Sequence, residues 1–199
     1  MRGKYLLYGA LAAGLTLFVW QTISNAAIPW HTATMSEFQN DNAIVQAVKA
    51  AAPTNGVYFS NRGILAAVSF TPDMADKSKA MGPMMAKQIV LDLVVALILC
   101  LLVARLGVRS ARETAMTLGL GALTVGMIKE LSDWNWYGFG TAYSVVNVID
   151  LVIMFALAGL VIGSIYRRQM RDTVVDNETL GVKTQGSYSA PRDSRLPVG

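Results

Sequence analysis

Of 199 residues, 53% are apolar and only 15% are charged, with a net charge of +4 and a basic isoelectric point. A soluble domain carries roughly 25% charged residues, whereas here the charges gather in a few segments between almost uncharged runs, as bilayer spans require. The positive excess lies beside the ends of those runs, which argues against a nucleic-acid partner, and the single cysteine, Cys100, excludes an intrachain disulfide.

The first apolar run extends from Tyr5 to about Ile28, behind Arg2 and Lys4, and is long enough to cross a bilayer. Ser24-Asn25-Ala26 is a passable small-x-small cleavage site, so a signal peptide is the rival reading. The run exceeds the usual signal core of about 7–15 residues, and Trp20 and Trp30 read as interfacial anchors. Residues 1–28 are therefore expected to stay as the first transmembrane helix.

Residues 29–87 form the largest segment outside the spans. Asp41 or Asn42 is placed to cap a short helix carrying Ile44, Val45 and Val48, which Pro53 ends. Val57-Tyr58-Phe59 and Ile64 to Phe70 then read as two strands joined by Ser60-Asn61-Arg62-Gly63, a hairpin signal. A helix and a hairpin bury little core alone, so this α+β cap is expected to rest on the helix ends or on another protein. Met74, Met81, Met84 and Met85 surround Gly82-Pro83. Thioethers favour Cu(I), which makes copper handling one reading; a flexible apolar segment at the membrane surface is the other, and the spacing follows no strict repeat.

Three further spans are expected within residues 88–171: Gln88 to about Leu106, about Thr114 to Ile128, and Tyr143 to Tyr166. The middle one is short and rich in small residues (Gly119, Gly121, Ala122, Gly126), a composition that lets helix backbones approach closely in lipid. Gly159 and Gly163 form a similar pair on the last span, opposite Asp150 at about 100° per residue. Both faces of that helix thus want a protein neighbour, which points to a partner subunit or self-association unless the helix is central. Residues 172–199 are polar and aperiodic and read as a disordered tail.

Arginine placement gives the orientation. One rim and the tail carry Arg2, Lys4, Arg105, Arg109, Arg112, Arg167, Arg168, Arg171, Lys183, Arg192 and Arg195 against five acids, while on the opposite side basic and acidic residues balance. The positive rim is cytoplasmic by the usual rule, so both termini are expected inside and the cap outside. The fold class that results is an all-α membrane protein, a four-helix transmembrane bundle with a small extracytoplasmic cap.

Ionisable groups in spans are costly and raise a functional question. Asp92, Lys129, Glu130, Asp150 with Asn147 one turn before it, and His31, the only histidine, all fall at the outward helix ends, with Asp133 just beyond. They form either an outward-opening site for a cation, proton or small solute, or a satisfied network in which Lys129 pairs with Asp92 or Asp150. No spacing suits zinc, an iron–sulfur cluster, a phosphate loop or a nucleophile elbow, a single histidine cannot ligate haem twice, and no cofactor is implied.

The outer loop between the third and fourth spans, Asp133-Trp134-Asn135-Trp136-Tyr137-Gly138-Phe139-Gly140, reads as an interfacial aromatic belt. With Phe18-Val19-Trp20, Pro29-Trp30-His31 and Asn55-Gly56-Val57-Tyr58-Phe59, it resembles a family of small uncharacterised bacterial membrane proteins with four predicted spans and a WNWYGF-like segment. The resemblance runs to about Tyr166 and implies a bacterial inner membrane and this topology, without an activity. The function expected from the residues is a non-catalytic accessory or scaffolding subunit; the alternative is a small transporter or cation-binding module.

Overall fold

The computed structural model describes residues 3–70, 77–107 and 110–179. Its elements are α1 (Gly3–Ala26), α2 (Asp41–Ala51), β1 (Gly56–Ser60), β2 (Ile64–Val68), α3 (Lys77–Leu106), α4 (Ala111–Gly126), α5 (Ser132–Tyr137) and α6 (Thr141–Thr179), with a single 3-10 turn at Thr32–Thr34 and a π-turn at Met127–Leu131. By length and composition, three helices among the described residues are long and apolar enough to cross a membrane: Gly3–Ala26, Met81–Leu106 and Thr141–Asp176.

Four helices make the bundle. α1 lies between α3 and α6, and α6 lies between α1 and α4. Their shared core holds Ala13 and Leu17, Ala96, Leu99, Cys100 and Val103, Leu118, and Ala158 and Ile162, one group from each helix. The small residues decide how closely the helices approach. A Cβ on Gly159 would lie 2.7 Å from Ala115 Cα, and one on Gly163 would lie 2.6 Å from Ala111 Cα. Carbon atoms pack at about 3.5–4.0 Å, so only glycine admits the α4 backbone at these points. Gly119 and Gly126 in turn face Ala156 and Val148, and Ala122 is buried. Gly121 faces open space, with nothing within 4 Å of its added Cβ. The two helices therefore run antiparallel, with the small residues of each at the contact.

α4 has only 16 residues, but the π-turn carries the helical path on into α5. This corrects the sequence reading of 133–140 as loop: residues Ser132–Tyr137 are helical, and Gly138, at φ +72°, starts the short connection to α6. α3 also begins earlier than expected, at Lys77 rather than Gln88. Met81, Met84 and Met85 are thus on a helix, exposed and at i, i+3, i+4 spacing that shares one face, rather than in a flexible segment. Met74 lies outside the described residues. At the other end α6 continues as helix through Thr179, so the polar segment from Asp172 starts helical; residues 180–199 lie outside the description.

The cap has the expected parts. Asn40, not Asp41 or Asn42, caps α2 by accepting a hydrogen bond from the Ala43 amide at 3.0 Å. β1 and β2 pair antiparallel from Gly56↔Val68 to Ser60↔Ile64. Gly63 closes the turn at φ +84°, its amide 2.9 Å from the Ser60 carbonyl oxygen; a side chain there would be strained. One sheet face carries Tyr58, Ala66 and Val68, which with Ala47, Val48 and Ala52 of the α2 segment line a shared cleft. The other face carries Val57, Phe59 and Leu65, and the first two are nearly three-quarters exposed.

Candidate functional site

The polar residues expected to gather at one rim form three separate groups. No hydrogen bond or ion pair joins one group to another among the described residues.

The first group centres on Asp150, two and a half turns into α6. Its Oδ1 accepts from Trp20 Nε1 at 2.7 Å and from Ser24 Oγ at 2.8 Å, both on α1. Its Oδ2 lies 3.3 Å from His31 Nε2. Trp30 Nε1 donates to the Ser24 carbonyl and hydroxyl oxygens, each at 3.1 Å. The Trp30 ring meets Trp20 edge-on at 6.4 Å and His31 at 5.5 Å. Ser24 and His31 are buried. A charge-assisted bond is about twice as strong as a neutral one, so this carboxylate ties the end of α1 and the Pro29-Trp30-His31 turn to α6.

Serine, histidine and aspartate meeting in one place invites a nucleophile reading, which the geometry does not support. Ser24 Oγ lies 3.2 Å from His31 Nε2, the same nitrogen that faces Asp150. In a nucleophilic triad the carboxylate holds the opposite ring nitrogen and leaves the hydroxyl to the base. Here the serine proton is directed to the carboxylate itself. The trio is a clasp.

The second group surrounds Asp92 on α3, which is 3% exposed. Gln21 of α1 and Gln88, one turn earlier on α3, both donate through Nε2 to its Oδ1 at 2.9 Å. Its Oδ2 is buried and has no hydrogen-bond partner among the described residues. Trp20 and Gln21 are adjacent in sequence but about 100° apart round the helix, so Asp150 and Asp92 flank α1 on different sides.

The third group corrects the expected network. Lys129 pairs with neither Asp92 nor Asp150; its Nζ donates to Glu130 at 2.9 Å and Asp133 at 3.2 Å, within the π-turn and α5. The side chain is 66% exposed, and the bond to Glu130, with help from Asp133, raises its pKa. The reason is local: an i, i+4 acid on the same helical path lies nearer than any acid on another helix. Asn147 is half-buried and belongs to none of the groups.

The aromatic belt divides likewise. Trp20 and Trp30 are members of the clasp, whereas Trp134 donates to Thr141 Oγ1 at 2.9 Å, Phe139 stacks on Tyr143 at 5.8 Å, and Trp136 and Tyr137 project outward. At the far end of the bundle Tyr5 donates to Asp172 Oδ2 at 2.5 Å. The α1–α6 interface thus has a polar bond at each end, separated by 19 residues on α1 and 22 on α6, or about 28–33 Å at 1.5 Å per residue. That matches the roughly 30 Å hydrocarbon thickness of a bilayer.

Sequence reasoning missed Gln21, Gln88 and Ser24. The Gln88–Asp92 spacing was a readable signal; Ser24 was hidden by its resemblance to a cleavage site. No family model, curated protein or solved structure matches the chain.

Proposed function

We propose that this chain is a non-catalytic integral membrane protein, an accessory or scaffolding subunit of a bacterial inner membrane that spans it four times with both termini cytoplasmic. Several features support the topology. α4 lies against the apolar stretch of α6 between Val148 and Gly163, so it shares that stretch's depth. Arginines flank the opposite rim from the cap, and the resemblance to small four-span bacterial proteins agrees.

One observation carries the accessory role. The outward sheet face of Val57, Phe59 and Leu65 is exposed on a cap on which no bundle helix packs extensively, and exposed apolar patches mark protein or membrane contacts, of which a protein contact gives a discrete crosslinked adduct. A photo-crosslinker in place of Phe59 in intact membranes is expected to give one discrete heavier adduct, absent in Val57→Ser/Leu65→Ser. A monodisperse monomer with no co-purifying chain and no adduct overturns the role. A reporter fused after Gly199 that proves extracytoplasmic overturns the orientation.

The orphan Oδ2 of Asp92 favours a second reading, a proton- or cation-binding module. It predicts that Asp92→Asn abolishes binding or flux at unchanged expression. A variant that is only less stable, or no different, assigns the carboxylate to structure.

A further inference from the structure

We infer that the tail end of the α1–α6 interface binds the phosphate of an anionic lipid headgroup. A cleft of about 1010 Å³ opens there, lined by Tyr5 and Tyr8 of α1 and by Arg167, Arg168, Arg171 and Asp172 of α6. At 100° per residue the three arginines occupy one arc about 100° wide, so they present their charge together. None of the three guanidinium groups makes a hydrogen bond or ion pair among the described residues. The acid in the cleft, Asp172, is instead held by the Tyr5 hydroxyl. Lys4 adds a further cation at the mouth, its Nζ 4.9 Å above the Tyr5 ring.

The shape of the cleft selects a lipid over a free anion. Leu11 and Ile165 continue its wall, each about 9 Å along its helix from Tyr5 and Arg171 toward the bundle centre. The charged mouth therefore passes into an apolar flank, the order in which a phospholipid presents its phosphate and acyl chain. Guanidinium groups match phosphate oxygens with paired donors, and basic pockets between membrane helices are known to hold anionic headgroups. Arginines that only anchor a helix end need no enclosing wall, whereas these line one.

This inference requires that the chain lie in a bilayer but not that it serve as a subunit, so its test is independent of the cap. The full chain, purified in mild detergent and placed in nanodiscs, is offered phosphatidylglycerol against phosphatidylcholine, and bound lipid is counted by native mass spectrometry. The parent is expected to prefer phosphatidylglycerol. Arg167→Gln/Arg171→Gln should weaken that preference about 5- to 30-fold, because each substitution removes one positive charge that attracts the anionic headgroup. The Lys/Lys double variant, which keeps charge but lacks the guanidinium fork, should fall between, and Arg62→Gln on the cap should match the parent. Protection of Cys100, fully buried in the core, reports that each variant is folded; if the Gln pair unfolds, the Lys pair decides. Equal preference in parent and folded variants overturns the inference. Displacement of the lipid by millimolar inorganic phosphate overturns the lipid assignment and makes the ligand a free anion.

Discussion

Replacing Gly159 by alanine tests one of the closest helix contacts among the described residues. The new methyl would lie 2.7 Å from Ala115 Cα and 3.0 Å from both Ala115 N and Thr114 O. All three atoms are backbone, so no side-chain rotation relieves the clash, and α4 must move away by about 1 Å to restore ordinary carbon contact. Overpacking of this kind costs about 1–3 kcal/mol. For a chain of this size each kcal/mol lowers the melting midpoint by about 2–4 °C, so a drop of roughly 2–12 °C is expected. Cys100 is the only cysteine and is fully buried, so a thiol-reactive fluorophore reports unfolding in detergent without further labelling. Gly163→Ala, facing Ala111 Cα at 2.6 Å, should behave alike. Gly121→Ala, with open space around it, should leave the midpoint unchanged or raise it through helix propensity, worth up to about 1 kcal/mol. If Gly159→Ala and Gly163→Ala both melt with the parent, the antiparallel α4–α6 contact is not the one described.

Trp20→Phe keeps an aromatic ring but removes a charge-assisted donor from Asp150, and should cost about 1.5–3 kcal/mol by the same thiol assay; a cost no greater than in Trp136→Phe, whose ring is exposed, would show that the clasp contributes nothing. Lys129 has a raised pKa, so its contribution to stability is complete below lysine's ordinary value and disappears as pH rises through the higher folded one. The side chain is mostly exposed, which makes the effect small; the alkaline fall in stability should be reduced in Lys129→Met, and an identical profile refutes the pairing. Gly63→Ala forces a side chain into the left-handed region at φ +84°, costing about 1–2 kcal/mol. It should speed proteolysis at the hairpin while leaving Cys100 protection intact.

Sequence patterns reveal some of this architecture more readily than the rest. Hydropathy marks the long apolar runs because lipid tolerates little charge within them, and the hairpin is legible because Gly63 and its flanking alternation are local. The face assignment of Gly159 against Asp150 follows from helical geometry alone. The partners of Lys129 are local, and topology drew attention away from them. Lys129 has acids one and four residues away, and a reading organised by membrane side passed over them for carboxylates on other helices. α5 escaped notice because six aromatic and polar residues carry no helical period, while the preceding turn hands them a helix already begun. The tail's first turns were hidden in the same way, since a polar composition says nothing about whether a long helix will run on past the membrane.

The centrality of α6 changes where a partner must be sought. The sequence presents two faces of this helix that each require a neighbour, and in an isolated helix pair one would be left for another protein. In the bundle α1 covers the Asp150 face through Trp20 and Ser24, and α4 covers the Gly159–Gly163 face. The helix that most demanded a partner subunit is thus satisfied within its own chain, and its small-residue stripe no longer argues for self-association. Among the described residues outside the apolar helices, the cap exposes the sheet face of Val57, Phe59 and Leu65, together with Ile64, Met35 and Phe38. An accessory role therefore depends on the cap rather than on the bundle, and crosslinks from Phe59 should carry a partner where crosslinks from Leu160, exposed on α6, should carry lipid.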